Sequence, residues 1–150
     1  MAVLIQNRQQ TEKLNLERMQ RAGRTLLNAL ESPDAELSLL LVDDDEMAVY
    51  NREFRGKEGS TNVLAFAMRD GDFPELTPHL LGDVVISAET ARREAEAAGT
   101  ELEYRLDELL VHGVLHLFGM DHERGEEEAE AMFRRARELV DAIRAAEAEW

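Results

Sequence analysis

Three of the chain's four histidines fall in one short run, His112-Gly113-Val114-Leu115-His116-Leu117-Phe118-Gly119-Met120-Asp121-His122. His112 and His116 sit four apart, a spacing that on a helix stacks two imidazoles on one face. Gly119 can take the left-handed conformation that ends a helix and turns the chain. Such a turn can carry His122 back toward the first pair. Three converging neutral imidazoles leave one tetrahedral position open for water, the layout of a catalytic zinc site and not of a closed structural one. The bland alternative, two core histidines and one surface histidine, has to place three of them at ligand spacing around a turn glycine. The run therefore predicts a metal site built on a helix and the turn after it.

The spacing matches the H-E-x-x-H-x-x-G-x-x-H signature of metzincin proteases at every position but one. Where that motif carries its general base, this chain has Gly113, which can accept no proton. A glycine in mid-helix costs about 1 kcal/mol against alanine. It is tolerable where a backbone or a substrate must come close, or where the helix packs tightly on a sheet. Asp121 can orient a ligand imidazole, act as a base, or cap the following turn. Glu108, one turn before His112, can accept a ligand's second N–H or be a solvated carboxylate. His79 reads as a surface histidine.

The chain has 150 residues, the size of one domain, 1–150. Without cysteine it has no disulfides or thiolate ligands, so any metal must be held by His, Asp or Glu. The apolar run at Met1–Ile5 is too short and too soon broken to read as a signal peptide, no apolar stretch approaches about 20 residues, and a cytoplasmic location with no membrane partner is expected. A net charge of −15 opposes a nucleic-acid partner at long range. A local positive cleft on an acidic body remains compatible with it, and Arg52, Arg55 and Lys57 cluster while Glu126, Glu127, Glu128 and Glu130 gather far along the chain.

Hydrophobic periodicity predicts strands over 2–7, 36–42, 62–68 and 83–86, with helices over 10–30, 46–54, 88–98, 101–116 and 125–147. Asp43, Asp44 and Asp45 are candidate caps for the second helix, Ser87 for the third, and Thr100 with Glu103 reads as a capping box for the fourth. Met132, Phe133, Leu139, Val140 and Ile143 form the expected inner stripe of the last. The near-continuous apolar run of the second strand suits burial on both faces. The third and fourth strands lack a helix between them and can pair as a hairpin. The fold class is α/β (α+β), a mixed four-stranded sheet with about five helices.

The segment from Tyr50 to Phe66 places Arg55 and Lys57 on a glycine-bearing loop able to hold an anion, although on this segment alone a solvated charged loop is the better reading. A guanidinium there could stabilise charge on a phosphate through two parallel hydrogen bonds.

Three blocks together resemble the YbeY family of bacterial rRNA-maturation metalloproteins. They are Tyr50-Asn51-Arg52-Glu53-Phe54-Arg55-Gly56-Lys57-Glu58 leading into Thr61-Asn62-Val63-Leu64-Ala65-Phe66; Leu81-Gly82-Asp83-Val84-Val85-Ile86-Ser87; and the histidine run, Gly113 included. Glu58, Ser60 and the Ala65-Phe66-Ala67 stretch depart from the usual family residues, and the histidines do not. The resemblance implies a zincin-like fold, one Zn2+ on His112, His116 and His122, and a single-strand-specific endoribonuclease. Its expected task is 16S (small-subunit) rRNA 3′-end maturation and ribosome quality control, with the small subunit and its proteins as partners and no DNA. It implies that Arg55 is a cleft arginine needed for processing; Asp121 is a candidate catalytic base. Nickel or another divalent transition metal also suits three imidazoles. The rivals are a metallopeptidase on the same scaffold and a non-catalytic zinc-containing ribosome-assembly factor.

Overall fold

Element order in the computed structural model, which describes residues 3–68, 80–120, 123 and 125–150, follows the predicted alternation. The elements are β1 (Val3–Asn7), α1 (Leu16–Ala29), β2 (Glu36–Val42), α2 (Asp44–Arg55), β3 (Val63–Ala67), β4 (Leu80–Ser87), α3 (Ala88–Ala98), α4 (Leu102–Leu117) and α5 (Glu126–Glu147). The sheet order is β1-β2-β4-β3. β1, β2 and β4 run parallel, and β3 is antiparallel to β4 at the edge. The sheet is mixed, as expected from a third and fourth strand able to pair as a hairpin. No helix among the described residues is long and apolar enough to cross a membrane.

β2 is covered on both sides. Leu37, Leu39 and Leu41 enter the main core, which includes Leu26 of α1, Leu110 and Leu115 of α4 and Ile143 of α5. Val42 joins Met47, Leu64 and Val85 in a smaller cluster, with Leu40 packed against it. Met47 is the α2 residue that seals that second face.

β4 is longer than the predicted 83–86, because the residues before it lie next to a glycine- and proline-bearing stretch that reads as loop. Its extra length contains a bulge: Glu36 faces Leu80, but Leu37 faces Gly82. Gly82 has φ +149°, and a Cβ there would fall onto the Phe66 carbonyl oxygen of the paired strand. Only glycine fits this crossing.

Helix ends show where side-chain chemistry overrides periodicity. α1 starts at Leu16, not near residue 10. The buried Gln9 side chain organises the preceding segment, accepting from the Thr11 and Glu12 N–H groups at 3.1 and 2.8 Å and donating to the Glu12 carbonyl. Asn15 then caps the helix by accepting from the Arg18 N–H. Ser87 caps α3 as expected, and Gly99 ends it in the left-handed region. The predicted capping box at Thr100 does not form. Thr100 instead donates its N–H to the Ala95 carbonyl, closing the C-terminus of α3, and Glu101 is the N-cap of α4. Phe133, expected on the inner stripe of α5, is 53% exposed, whereas Met132, Leu139, Val140 and Ile143 are buried.

Of the three aspartates before α2, Asp43 takes the N-cap position, but its carboxylate accepts from the Gln10 N–H and the Thr11 hydroxyl. Asp44 is the hub. It accepts from the hydroxyls of Ser87 and Thr90 at 2.6 Å and of Ser60 at 3.0 Å, and pairs with Arg93 at 2.8 Å. Burial pushes its pKa up, but these donors outweigh burial and hold it at about 2. The starts of α2 and α3 and the approach to β3 are thereby tied together beside the site.

A buried ion cluster joins the helices on the other side of the molecule. Arg18 grips Asp107 with two hydrogen bonds of 3.0 and 2.9 Å and Glu147 with two of 2.6 and 3.0 Å. Arg18 and Asp107 are almost fully buried, at 8% and 2% exposure. The two carboxylates raise the pKa of the guanidinium, and Arg18 in turn lowers that of Glu147. One contact set thus fixes α1, α4 and α5.

Candidate metal centre

α4 turns two faces to two tasks. Its sheet-facing side carries Gly113, where a Cβ would stand 2.7 Å from Val84 Cγ1 and 3.3 Å from Val63 Cγ2. The glycine serves close helix–sheet packing, one of the alternatives the sequence left open, and it also lines the hollow at the histidines. The next face presents His112 and His116, both half-buried. Their Nε2 atoms lie 3.1 Å apart and their ring centroids 4.6 Å apart.

That separation tests the fit of a metal. Two nitrogens on a tetrahedral zinc, each about 2.0–2.1 Å from it, stand about 3.3 Å apart. The pair is therefore already at ligand separation. The same distance lets one ring donate to the other when a single proton lies between them, and metal binding would displace that proton. After the pair, Gly119 adopts φ +90°, and the Gly119 and Met120 N–H groups bond to the His116 and Leu115 carbonyls. This is the predicted left-handed stop and turn. His122, the third expected ligand, lies outside the described residues, as do Asp121 and His79. Among the described residues no group of three potential ligands forms. Glu108 takes part in an ion pair with Arg105 at 3.2 Å.

The histidines open into a hollow of about 650 Å³. Arg55, Lys57, Phe54 and Glu123 line it along with strand β3. The sequence placed Arg55 and Lys57 on one anion-holding segment, and the fold brings both to the histidines. Arg55 is the last residue of α2, and Gly56 follows in the left-handed region, turning Lys57 off the helix axis. Asn51 holds the loop by donating its side-chain amide to the Gly59 carbonyl at 2.9 Å. Arg52 of the same cluster is exposed and does not line the hollow. Phe54, 63% exposed and edge-on to Phe66, is a part of the site that the sequence reading passed over. An aromatic directly before the arginine was the available signal.

The structure is a mixed α/β domain with paired histidines on the helix behind the antiparallel edge of its sheet and two cations, Arg55 and Lys57, lining the same hollow. The comparisons narrow it: residues 4–144 match the family described as Endoribonuclease YbeY, and the chain belongs to that family. It is 50% identical to the Endoribonuclease YbeY of Syntrophotalea carbinolica, over 93% of this chain and 94% of that protein. It is 48% identical to that of Geobacter sulfurreducens, over 93% of each. The solution structure of TM1509 from Thermotoga maritima shares the fold, with a TM-score of 0.67 at 23% identity, covering 98% of this chain and 92% of that one.

Gly113 also bears on the peptidase alternative. Gly113→Glu would complete the protease signature in sequence, but its Cβ would be driven into Val84. The expected result is a loss of about 1–3 kcal/mol in urea unfolding with no peptide cleavage gained. Unchanged stability, or digestion of a peptide library, would show that the helix does not need the glycine.

Proposed function

We propose that this chain is a zinc-dependent, single-strand-directed endoribonuclease that matures the 3′ end of small-subunit rRNA in the cytoplasm, acting on the small ribosomal subunit. The observation that carries the reading is the 3.1 Å convergence of His112 and His116 in a hollow rimmed by Arg55 and Lys57. Membership of a family described as an endoribonuclease supports it. His112, His116 and His122 would hold the metal. A divalent metal held there would supply Lewis acidity toward a phosphoryl oxygen or a water.

The chain's own groups do the rest. Arg55 and Lys57 draw the RNA backbone into the hollow against the repulsion of a −15 chain. Arg55 donates to the phosphoryl oxygens as negative charge builds on them. Asp121 is the candidate to accept the nucleophile's proton. Gly113, packed against Val84, leaves the peptidase base without a place.

Arg55→Ala is expected to lower cleavage of single-stranded precursor RNA by about 10²–10³-fold, the range found for removing one preorganised donor, with metal content unchanged. The measurement is single-turnover cleavage of a labelled small-subunit 3′ precursor beside metal analysis of the same samples. Equal rates for variant and wild type would remove Arg55 from the mechanism. If wild type itself fails to cleave with zinc bound, the non-catalytic assembly factor becomes the better reading.

A further inference from the structure

Two hollows, not one, meet at His112. The second, of about 570 Å³, lies between α4 and α5. It shares Asn62, Val63 and His112 with the hollow already described. Each carries an exposed phenylalanine, Phe54 at 63% on one side and Phe133 at 53% on the other. Among the described residues six large hydrophobics are exposed, and of these Phe54 and Phe133 line the two hollows that meet at His112.

We propose that the two hollows hold neighbouring stretches of one RNA strand, with Phe54 and Phe133 as base-stacking platforms on either side of the phosphate that sits at His112 and His116. This deepens the nuclease reading and rests on it. The two hollows divide the work by charge. Arg55 and Lys57 line the first, which suits a backbone phosphate beside the base on Phe54. The second is lined by Glu108 and Asp141 as well as Arg105 and Arg137, and Arg105 is engaged by Glu94 and Glu108. Two cations and two carboxylates offset one another there, so this hollow, unlike the first, suits a neutral base, which lies on Phe133, with Tyr104 lining the same hollow. Aromatic stacking is indifferent to base identity but requires an unstacked base. A duplex keeps its bases stacked on each other, so the platforms select single strands.

The test uses the zinc-loaded protein and a short, fluorescein-labelled single strand of 2′-O-methyl phosphorothioate RNA, which resists hydrolysis. Binding is read by anisotropy for wild type, Phe54→Ala, Phe133→Ala and the corresponding Trp variants. Each Ala variant is expected to bind about tenfold more weakly, since a stacked base contributes about 1–3 kcal/mol, and each Trp variant to bind as wild type does. A fully abasic strand of the same length should bind wild type and Ala variants equally. Ala variants that match wild type, losses as large with the abasic strand, or a wild type that binds no strand would overturn the proposal. Cleavage of ordinary RNA, run in parallel, separates the two ideas. Phenylalanine-dependent binding without cleavage supports the platforms and sinks the nuclease; cleavage indifferent to both phenylalanines sinks the platforms alone.

Discussion

Asp107→Ala is expected to lower the unfolding free energy by about 3 kcal/mol, at the low end of the range for breaking a buried ion pair. The substitution leaves Arg18 at 8% exposure without its bidentate partner. Glu147 still holds two of its nitrogens, which is why the loss stays at the lower end. The charge, not the lost attraction, sets the cost: a guanidinium that cannot shed its proton has to be hydrated or the helices must part. Equilibrium urea denaturation of the variant and of Arg18→Met/Asp107→Leu checks this. The double variant, with both charges gone, should recover most of the loss; a single variant within 1 kcal/mol of wild type would mean that water already serves Arg18.

If the proposed zinc site is real, His116→Ala should take the protein from one bound zinc per chain to essentially none at micromolar metal, and cleavage with it. Removal of a group that merely orients a ligand costs roughly 10- to 100-fold in metal affinity, and loss of a ligand itself must exceed that. The fold should survive, because His116 is half-buried and its neighbours Leu115 and Leu117 carry the packing. Metal content after dialysis and cleavage of the precursor RNA are the two readouts. A variant that keeps both would show that the 3.1 Å pair is only a hydrogen bond.

Those two sites differ in how far the sequence announced them. The histidine pair is local: four residues apart on one helix, with the turn glycine just beyond, so spacing alone gives the geometry. The Ser87 and Gly99 caps and the β2 run were legible for the same reason. The ion cluster is not local. Arg18 meets partners 89 and 129 residues away, and a charged residue within an amphipathic helix reads as part of its wet face. The late start of α1 was hidden because Gln9 satisfies the backbone with its own side chain, a competition that periodicity does not register. Thr100 had the chemistry of a cap, but its N–H was claimed by the end of the preceding helix. Arg55 and Lys57 read on their own as a solvated charged loop, and only the fold shows that this segment opens onto the histidines. Phe133 was assigned inward because hydrophobicity alone does not distinguish a core position from a platform.

The contact between Gly113 and Val84 has one more consequence, for how such a chain can diverge. A Cβ at 113 would stand 2.7 Å from Val84 Cγ1, so a side chain at 113 and a branched side chain at 84 compete for the same space and their substitution effects cannot add. Trimming Val84 to alanine opens a void and loses packing when made alone. The same change makes room for alanine at 113, which in turn recovers helix propensity. The path through the helix change first meets the clash, and the path through the strand change first meets the void. Each single change is therefore expected to cost stability, and the cost of the two together to fall short of their sum.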